Sequence, residues 1–281
     1  MYYGIVVIAT ILFGIQFFCN QQYEKESGNG AASSMLLACG SSLLGGTVLL
    51  VANGLCLSST PFTFILAVLT AVNNLLCMVC GLKALGCANL SLFSLFSMLG
   101  GMVLPFVAGI VFYNESFTWN KGVCLLFVVG SLLLTLQQDN NKGGGLYFAG
   151  IFVCNGMAGV LSKIYQAAPY VKADETSYSI WSSLLAAGLA GIFWLCLKER
   201  RVKITSRSIL SMAGSGALNK VANLLLLIAL AHLPASVQYP MVTGGVIIVS
   251  TLFSYFTPRK PTHRELGAVA FAFLAVIFIV L

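Results

Sequence analysis

Apolar positions along the chain fall into ten long stretches, at about 2–20, 32–56, 62–84, 90–112, 120–137, 145–167, 177–197, 206–231, 234–257 and 264–281. A bilayer core ~30 Å thick is crossed by ~20 apolar residues of helix. Lipid offers the backbone no hydrogen-bond partners, so each crossing segment must satisfy its own N–H and C=O groups. The pattern therefore predicts an all-α, polytopic membrane protein of ten transmembrane helices. The polar interruptions are short and read as turns: Ser58-Ser59-Thr60-Pro61, Asn140-Asn141-Lys142-Gly143-Gly144-Gly145 and Lys198-Glu199-Arg200-Arg201-Val202-Lys203. None is long enough to hold a soluble domain. Met1-Tyr2-Tyr3 has no basic residue ahead of the first stretch, which predicts an uncleaved first helix.

The glycine-rich interruption near 143 divides the chain almost equally. Adding 145 to positions in stretches three to five reaches stretches eight to ten without a gap. Asn74 then meets Asn219, Ala84-Leu85 meets Ala229-Leu230, Ser91 meets Ser236, Gly100 meets Gly245 and Gly122 meets Gly267. Matching lengths and polar positions predict two five-helix repeats, 1–140 and 141–281. Five is odd, so the second repeat would enter the membrane with the opposite orientation, a recurrent plan in secondary transporters.

Composition sharpens this picture. Hydrophobic residues make up 58% of the chain and charged residues 8%, with a mean hydropathy of +0.93. A soluble domain carries roughly 25% charged residues, so here the bilayer is the main solvent. The net charge of +7 does not point to nucleic acid, because the basic residues gather in the connections. Lys25, Lys83, Lys142, Lys198, Arg200, Arg201, Lys203, Arg207, Arg259, Lys260 and Arg264 all lie at or beside the odd-numbered connections. That distribution fits anionic headgroups, and the positive-inside rule would place both termini outside. Cys77 and Cys80 form a CxxC without a second pair or a histidine cluster, so the nine cysteines read as small packing residues. No metal and no cofactor is expected.

A polar side chain deep in a membrane helix needs a partner or a wet cavity, which makes each one a site candidate. Ser215, Asn219 and Asn223 recur every four residues along one stripe of the eighth stretch. Lys220 stands about 100° from Asn219 around the axis, too deep to reach the interface. Thr70, Asn73, Asn74 and Cys77 mirror this in the third stretch. The fourth adds Ser91 and Ser94; the ninth adds Ser236, Gln238, Tyr239 and Thr243. The first adds Gln16 and Asn20, and the sixth adds Asn155, Ser162, Lys163 and Tyr165. The expected solute-binding set is Asn74, Asn219, Lys220, Asn223, Gln238, Tyr239, Asn73, Ser94, Lys163 and Gln16. Hydroxyls and single amides also join membrane helices by hydrogen bonds; Ser91, Ser94, Ser236 and Thr243 suit that role equally, and Lys163 is near enough to a helix end to snorkel. Pro105 and Pro240 interrupt their stretches and suit either a hinge or a tolerated kink.

Two motifs bring a family into view. Phe13-Gly14 is followed seven residues after the glycine by Gln21, and Asn155-Gly156 by Lys163; Glu115, Thr118 and Gly122 open the fifth stretch, while Arg259-Lys260 precedes Gly267 in the tenth. With the ten-stretch repeat, the chain resembles the EamA-type branch of the drug/metabolite transporter superfamily over essentially its whole length. The resemblance implies ten helices around a central cavity, transport of amino acids or other small metabolites across a plasma membrane, and both termini in the cytoplasm, opposite to the charge count. The acidic residues all fall in or beside predicted connections. The membrane carboxylate that small four-helix relatives use to export cationic drugs is therefore not expected. Deep lysines favour neutral, zwitterionic or anionic solutes.

Three other readings compete. A sugar-phosphate or nucleotide-sugar exchanger would also suit the lysines. A receptor or scaffold would not require matched polar stripes. An intramembrane enzyme would require an inner catalytic constellation, whereas His232 and His263 lie at helix ends without an inner acid; no enzymatic activity is expected. The expected partners are a small-molecule solute and the lipid bilayer, and a monomer and a homodimer are both compatible with the pattern.

Overall fold

The computed structural model describes residues 2–87, 89–113, 119–136, 144–197, 201–230, 235–257 and 260–280. Within these, side chains are described except at 106, 109–110, 113, 121, 124–125, 128, 132–136, 166, 227–228, 230, 235–240, 276 and 279–280. Glu115, Thr118 and Arg259 lie outside the described residues, as do the side chains of Ser236, Gln238, Tyr239 and Pro240.

Among the described residues ten helices form: α1 (Tyr2–Ser27), α2 (Ala31–Ala52), α3 (Pro61–Cys87), α4 (Leu90–Tyr113), α5 (Trp119–Leu136), α6 (Gly144–Ala167), α7 (Glu175–Cys196), α8 (Ser206–Leu230), α9 (Ala235–Tyr255) and α10 (His263–Val280). Among the described residues there is no strand. α1, α2, α3, α6, α7 and α8 each contain a described stretch long and apolar enough to cross a membrane. The chain is a polytopic, all-helical membrane protein.

Polar residues at the helix starts define the connections. Thr60 precedes Pro61 at the first position of α3 and accepts from the Thr63 N–H at 3.2 Å. Asp174 caps α7 through the Ser177 N–H at 2.8 Å. Thr205 and Ser208 cap α8 reciprocally, at 2.9 and 3.1 Å. At α10, Glu265 accepts from the Thr262 N–H at 2.7 Å, while the Glu265 N–H reaches the Thr262 hydroxyl at 3.4 Å, a capping box.

Two expected boundaries differ. α1 continues past the apolar stretch to Ser27, so Glu24 and Glu26 ride on helix. Its last turns find polar partners: Thr205 donates to Glu26 at 3.2 Å, and Ser27 donates to the Lys203 carbonyl at 2.8 Å. α2 stops at Ala52 rather than near 56, because Gly54 and Leu55 turn the chain with φ of 62° and 63°.

The principal packing partners are α1 with α8 and α9, α6 with α3 and α4, α2 with α7 and α8, α3 with α7, α4 with α9, and α5 with α10. Glycines set the closest of these approaches. A Cβ on Gly100 of α4 would run into the Phe152 carbonyl of α6, and one on Gly245 of α9 would sit 2.5 Å from the Thr10 side chain of α1. The bundle has two distinguishable ends. At one, α1 reaches the 201–205 connection, and Asn89 donates to Glu265 at 2.7 Å. At the other, Ser58 donates to Asp174 at 2.5 Å and Trp181 donates to the Ser58 carbonyl at 3.1 Å, clasping the 53–60 and 168–174 connections together. We call these the basic end and the clasped end.

Candidate binding cavity

Polar residues brought together from separate helices surround a cavity at mid-bundle, in two compartments of about 210 and 430 Å³. Phe13, Asn74, Met98, Asn155, Asn219 and Lys220 line both compartments, so the two meet around the amides and the lysine. The smaller runs toward the basic end past Gln16, Asn20, Ser41 and Phe93. The larger runs to Glu175 and Thr176, in the first turn of α7 at the clasped end. Both volumes are in or near the range of small-molecule sites.

The position of Lys220 follows from how α2 meets α8. A Cβ on Gly216 would collide with the Ser41 carbonyl, so the two backbones touch one turn before the lysine. A Cβ on Gly45 would lie 2.7 Å from Lys220 Cγ. The aliphatic stem thus lies over Gly45, and the residue is half-buried. Among the described residues, Lys220 has no hydrogen-bond or ion-pair partner. A lysine at the centre of a membrane helix costs about 2.5–3.5 kcal/mol when exposed to lipid; water or a solute in the cavity relieves that cost.

The amides around it differ in their engagement. Asn74 has no hydrogen-bond partner among the described residues. Asn223 donates to the Asn219 carbonyl at 2.8 Å and to its side-chain oxygen at 3.3 Å. Asn155 donates to the Ser97 carbonyl at 2.6 Å, and Ser215 donates to Asn20 at 2.6 Å. Gln16 is buried with its Oε1 unpartnered.

Asn74, Asn219 and Lys220 therefore line both compartments, Gln16 the smaller alone and Asn223 the larger alone. Asn73, Ser94 and Lys163 lie outside the lining. One residue of helix rotates Asn73 away from Asn74, and it donates instead to the Cys154 carbonyl at 2.9 Å, joining α3 to α6. Ser94 is fully buried between α4 and α9, where it meets Ser250 and donates to the Ser91 carbonyl. Lys163 follows Ser162, which does line the larger compartment. Thr243 is in the wall, and Ser91 pairs with Thr251 at 2.9 Å in the α4–α9 contact.

Further lining comes from α2 and α7, which carry no amide in their spans. Ser41 and Ser42 belong to α2; Ser179, Ser182 and Ser183 belong to α7. The i, i+3, i+4 spacing of the three α7 serines is visible in the sequence, but serines at that spacing are also ordinary helix-packing residues. Tyr165 and Tyr178 stack with ring centroids 4.2 Å apart in the wall of the larger compartment, and Tyr178 pairs with Thr70 at 2.6 Å.

The two ends of the cavity are unlike. Toward the basic end, Tyr23, Leu37 and Leu82 form a buried cluster, and Tyr23 donates to the Ser33 carbonyl at 3.2 Å. Beside it, Ser91, Ser94, Ser250, Thr251 and Ser254 close α4 onto α9 through hydroxyl contacts. At the other end, the clasp centres on Asp174. Burial pushes its carboxyl up, but hydrogen bonds from the Ser58 hydroxyl and from the Ser177 N–H and hydroxyl together outweigh this and hold it below the ordinary value. A depressed folded value means the stabilisation is present above the unfolded carboxylate value and is lost as pH falls through the folded one. Asp174→Ala removes the cap as well and is expected to cost about 0.5–2 kcal/mol. Thermal unfolding in detergent at pH 7 and pH 3 checks this: the gap between wild type and variant should shrink at pH 3.

The chain matches no family model, and no curated protein matches it.

Proposed function

We propose that this chain is a transporter of small metabolites, amino acids or related neutral, zwitterionic or anionic solutes, working by alternating access. The observation that carries the proposal is Lys220, which has no protein partner among the described residues and lines, with several amides, a cavity at mid-bundle. A purely structural lysine would be paired, because an unpaired polar group in a membrane interior is costly. The wall offers a resting place for a solute, and its two ends are built differently, one packed with side chains and one reached by the larger compartment. Such asymmetry is what one state of an alternating cycle requires. If the basic end faces the cytoplasm, as the positive-inside rule implies, the state described faces outward.

In this reading all ten helices cross the plasma membrane as two inverted repeats, 1–140 and 141–281, as the resemblance to EamA-type drug/metabolite transporters implies. The packing supports it. Advancing every helix number by five exchanges α1–α8 with α6–α3, α4–α6 with α9–α1, and α2–α8 with α7–α3, while α2–α7, α4–α9 and α5–α10 map onto themselves. The glycine contacts follow the same exchange: Gly100 against α6 corresponds to Gly245 against α1. Lys220 also supports a second reading, exchange of phosphorylated sugars or nucleotide-sugars, in which it would hold a phosphate.

The test is flux. Purified protein in proteoliposomes is expected to accumulate at least one labelled solute from a panel of amino acids, hydroxy acids, sugar phosphates and nucleotide-sugars, and counterflow should follow preloading with the same solute. Vesicles that match protein-free controls for the whole panel would refute transport and favour a receptor or scaffold.

A further inference from the structure

Polar contacts join the two halves of the chain at both ends of the bundle. At the clasped end, Ser58 of the α2–α3 connection donates to Asp174 at 2.5 Å, and Thr63 in the first turn of α3 meets Tyr165 in the last turn of α6 at 3.3 Å. At the basic end, Thr205 at the start of α8 donates to Glu26 in the last turn of α1 at 3.2 Å, and Ser27 donates to the Lys203 carbonyl at 2.8 Å. Advancing helix numbers by five carries the α8–α1 meeting onto the α3–α6 meeting. Both are fastened in the same state. A contact that sealed the cavity would be fastened at the closed end alone, yet the larger compartment reaches Glu175 and Thr176 with the clasp beside them intact.

What differs between the ends is how α4 meets α9. Toward the basic end, Ser91 pairs with Thr251 at 2.9 Å, the Ser91 N–H donates to Ser254 at 3.1 Å, and Ser94 meets Ser250. These side chains are buried. On the other side of mid-bundle, Gly101 of α4 and Val242 and Thr243 of α9 border the larger compartment instead. The change falls where each helix is pressed hardest on a neighbour. A Cβ on Gly100 would run into the Phe152 carbonyl of α6, and one on Gly245 would sit 2.5 Å from the Thr10 side chain of α1. Each helix therefore has a tight fulcrum between a closed half and a parted half.

We propose that the hydroxyl seam between α4 and α9 is the gate at the basic end, and that both connection clasps are struts that stay fastened when it opens. The proposal rests on the transport reading and specifies its moving part. Rocking α4 about Gly100 and α9 about Gly245 parts the seam and brings the opposite halves together. Water replaces each hydroxyl partner as the seam parts, so the hydrogen bonds given up are largely regained. The buried cluster of Tyr23, Leu37 and Leu82, also toward the basic end, has no such compensation, because wetting apolar surface is unfavourable. The seam opens and the cluster stays shut.

The experiment labels full-length Ser250→Cys and Leu37→Cys proteins in proteoliposomes with sulfonatoethyl methanethiosulfonate on both faces. Modification is read at each position by peptide mass, which separates it from that of the native cysteines. Ser250 and Leu37 are both fully buried, so labelling reports opening. Residue 250 is expected to label at least about tenfold faster than residue 37, because the rate follows the population of the open form. Equal rates, or a faster residue 37, overturn the gate; Ser94→Cys, across the seam, repeats the comparison should Ser250→Cys not fold. A further protein adds Ser58→Cys and Ser177→Cys to Ser250→Cys. The Ser58 and Ser177 hydroxyl oxygens are 3.1 Å apart, so oxidation of the two thiols fixes the clasp as a disulfide. Labelling at 250 should then stay within about twofold of the reduced protein. A larger fall, or a pair that will not oxidise, overturns the struts. Flux keeps this proposal apart from the transport reading. Vesicles that move a solute while residue 250 stays unlabelled retain transport and remove the gate. Labelling at 250 without flux of any panel solute removes transport and leaves a seam that opens.

Discussion

Lys220→Ala is expected to abolish or sharply weaken transport of anionic and zwitterionic solutes while leaving the folded protein as stable as before, or more so. The two halves of this expectation have the same origin. Lys220 has no partner among the described residues, so its removal breaks no internal hydrogen bond and relieves a deep cationic group of its desolvation cost. A solute carboxylate or phosphate, by contrast, would lose the one cationic contact that the described residues place in the cavity lining. A hydrogen bond to a charged group is worth about 1.5–3 kcal/mol, so half-saturation should rise roughly ten- to a hundredfold. Lys220→Arg keeps the charge but puts a planar fork where Gly45 admits a slender stem, and should retain partial activity. Initial uptake rates across a concentration series, with unfolding midpoints measured in parallel, check both halves. Unchanged uptake of every anionic and zwitterionic solute by the alanine variant would remove Lys220 from the site. A large fall in midpoint would instead make it a structural cation.

The second large effect concerns packing. Gly100→Ala places a Cβ against the Phe152 carbonyl, which belongs to the backbone of α6 and cannot rotate away. α4 and α6 must then separate, and overpacking of this kind costs about 1–3 kcal/mol. Gly245→Ala at the corresponding α9–α1 contact meets a threonine methyl, a softer obstacle, and should cost less. Gly188→Ala has nothing within 4 Å and serves as a control; alanine should stabilise it slightly through helix propensity. The expected order of unfolding midpoints is Gly188→Ala at or above wild type, then Gly245→Ala, then Gly100→Ala. Equal midpoints for Gly100→Ala and Gly188→Ala would show that the α4–α6 approach is looser than described. Because Asn155 also donates to α4 at Ser97, the Gly100 variant should disturb the cavity wall together with stability.

The helices, six of them among the described residues long and apolar enough to cross a membrane, were legible in the sequence because lipid imposes one rule on every residue of a span, and that rule acts through local composition. Boundaries slipped where it stops acting, as in the last turns of α1, whose polar residues are held by Lys203 and Thr205 from a distant connection. The stripe of Asn219 and Asn223, with Lys220 beside it, was likewise readable, since helical periodicity fixes which residues share a face. Which of two adjacent amides faces the cavity was not. Asn73 and Asn74 differ by a rotation about the axis of α3, and only the position of α6 decides that Asn73 joins helices while Asn74 lines the wall. Ser94 and Ser41 are equally alike in sequence, yet one is sealed against Ser250 and the other borders open space. The chain alone thus determined that the molecule lies in a membrane, and roughly where its helices begin and end. The arrangement of helices decided which polar groups pair with protein and which line the cavity, because pairing depends on contacts between segments that are far apart in sequence.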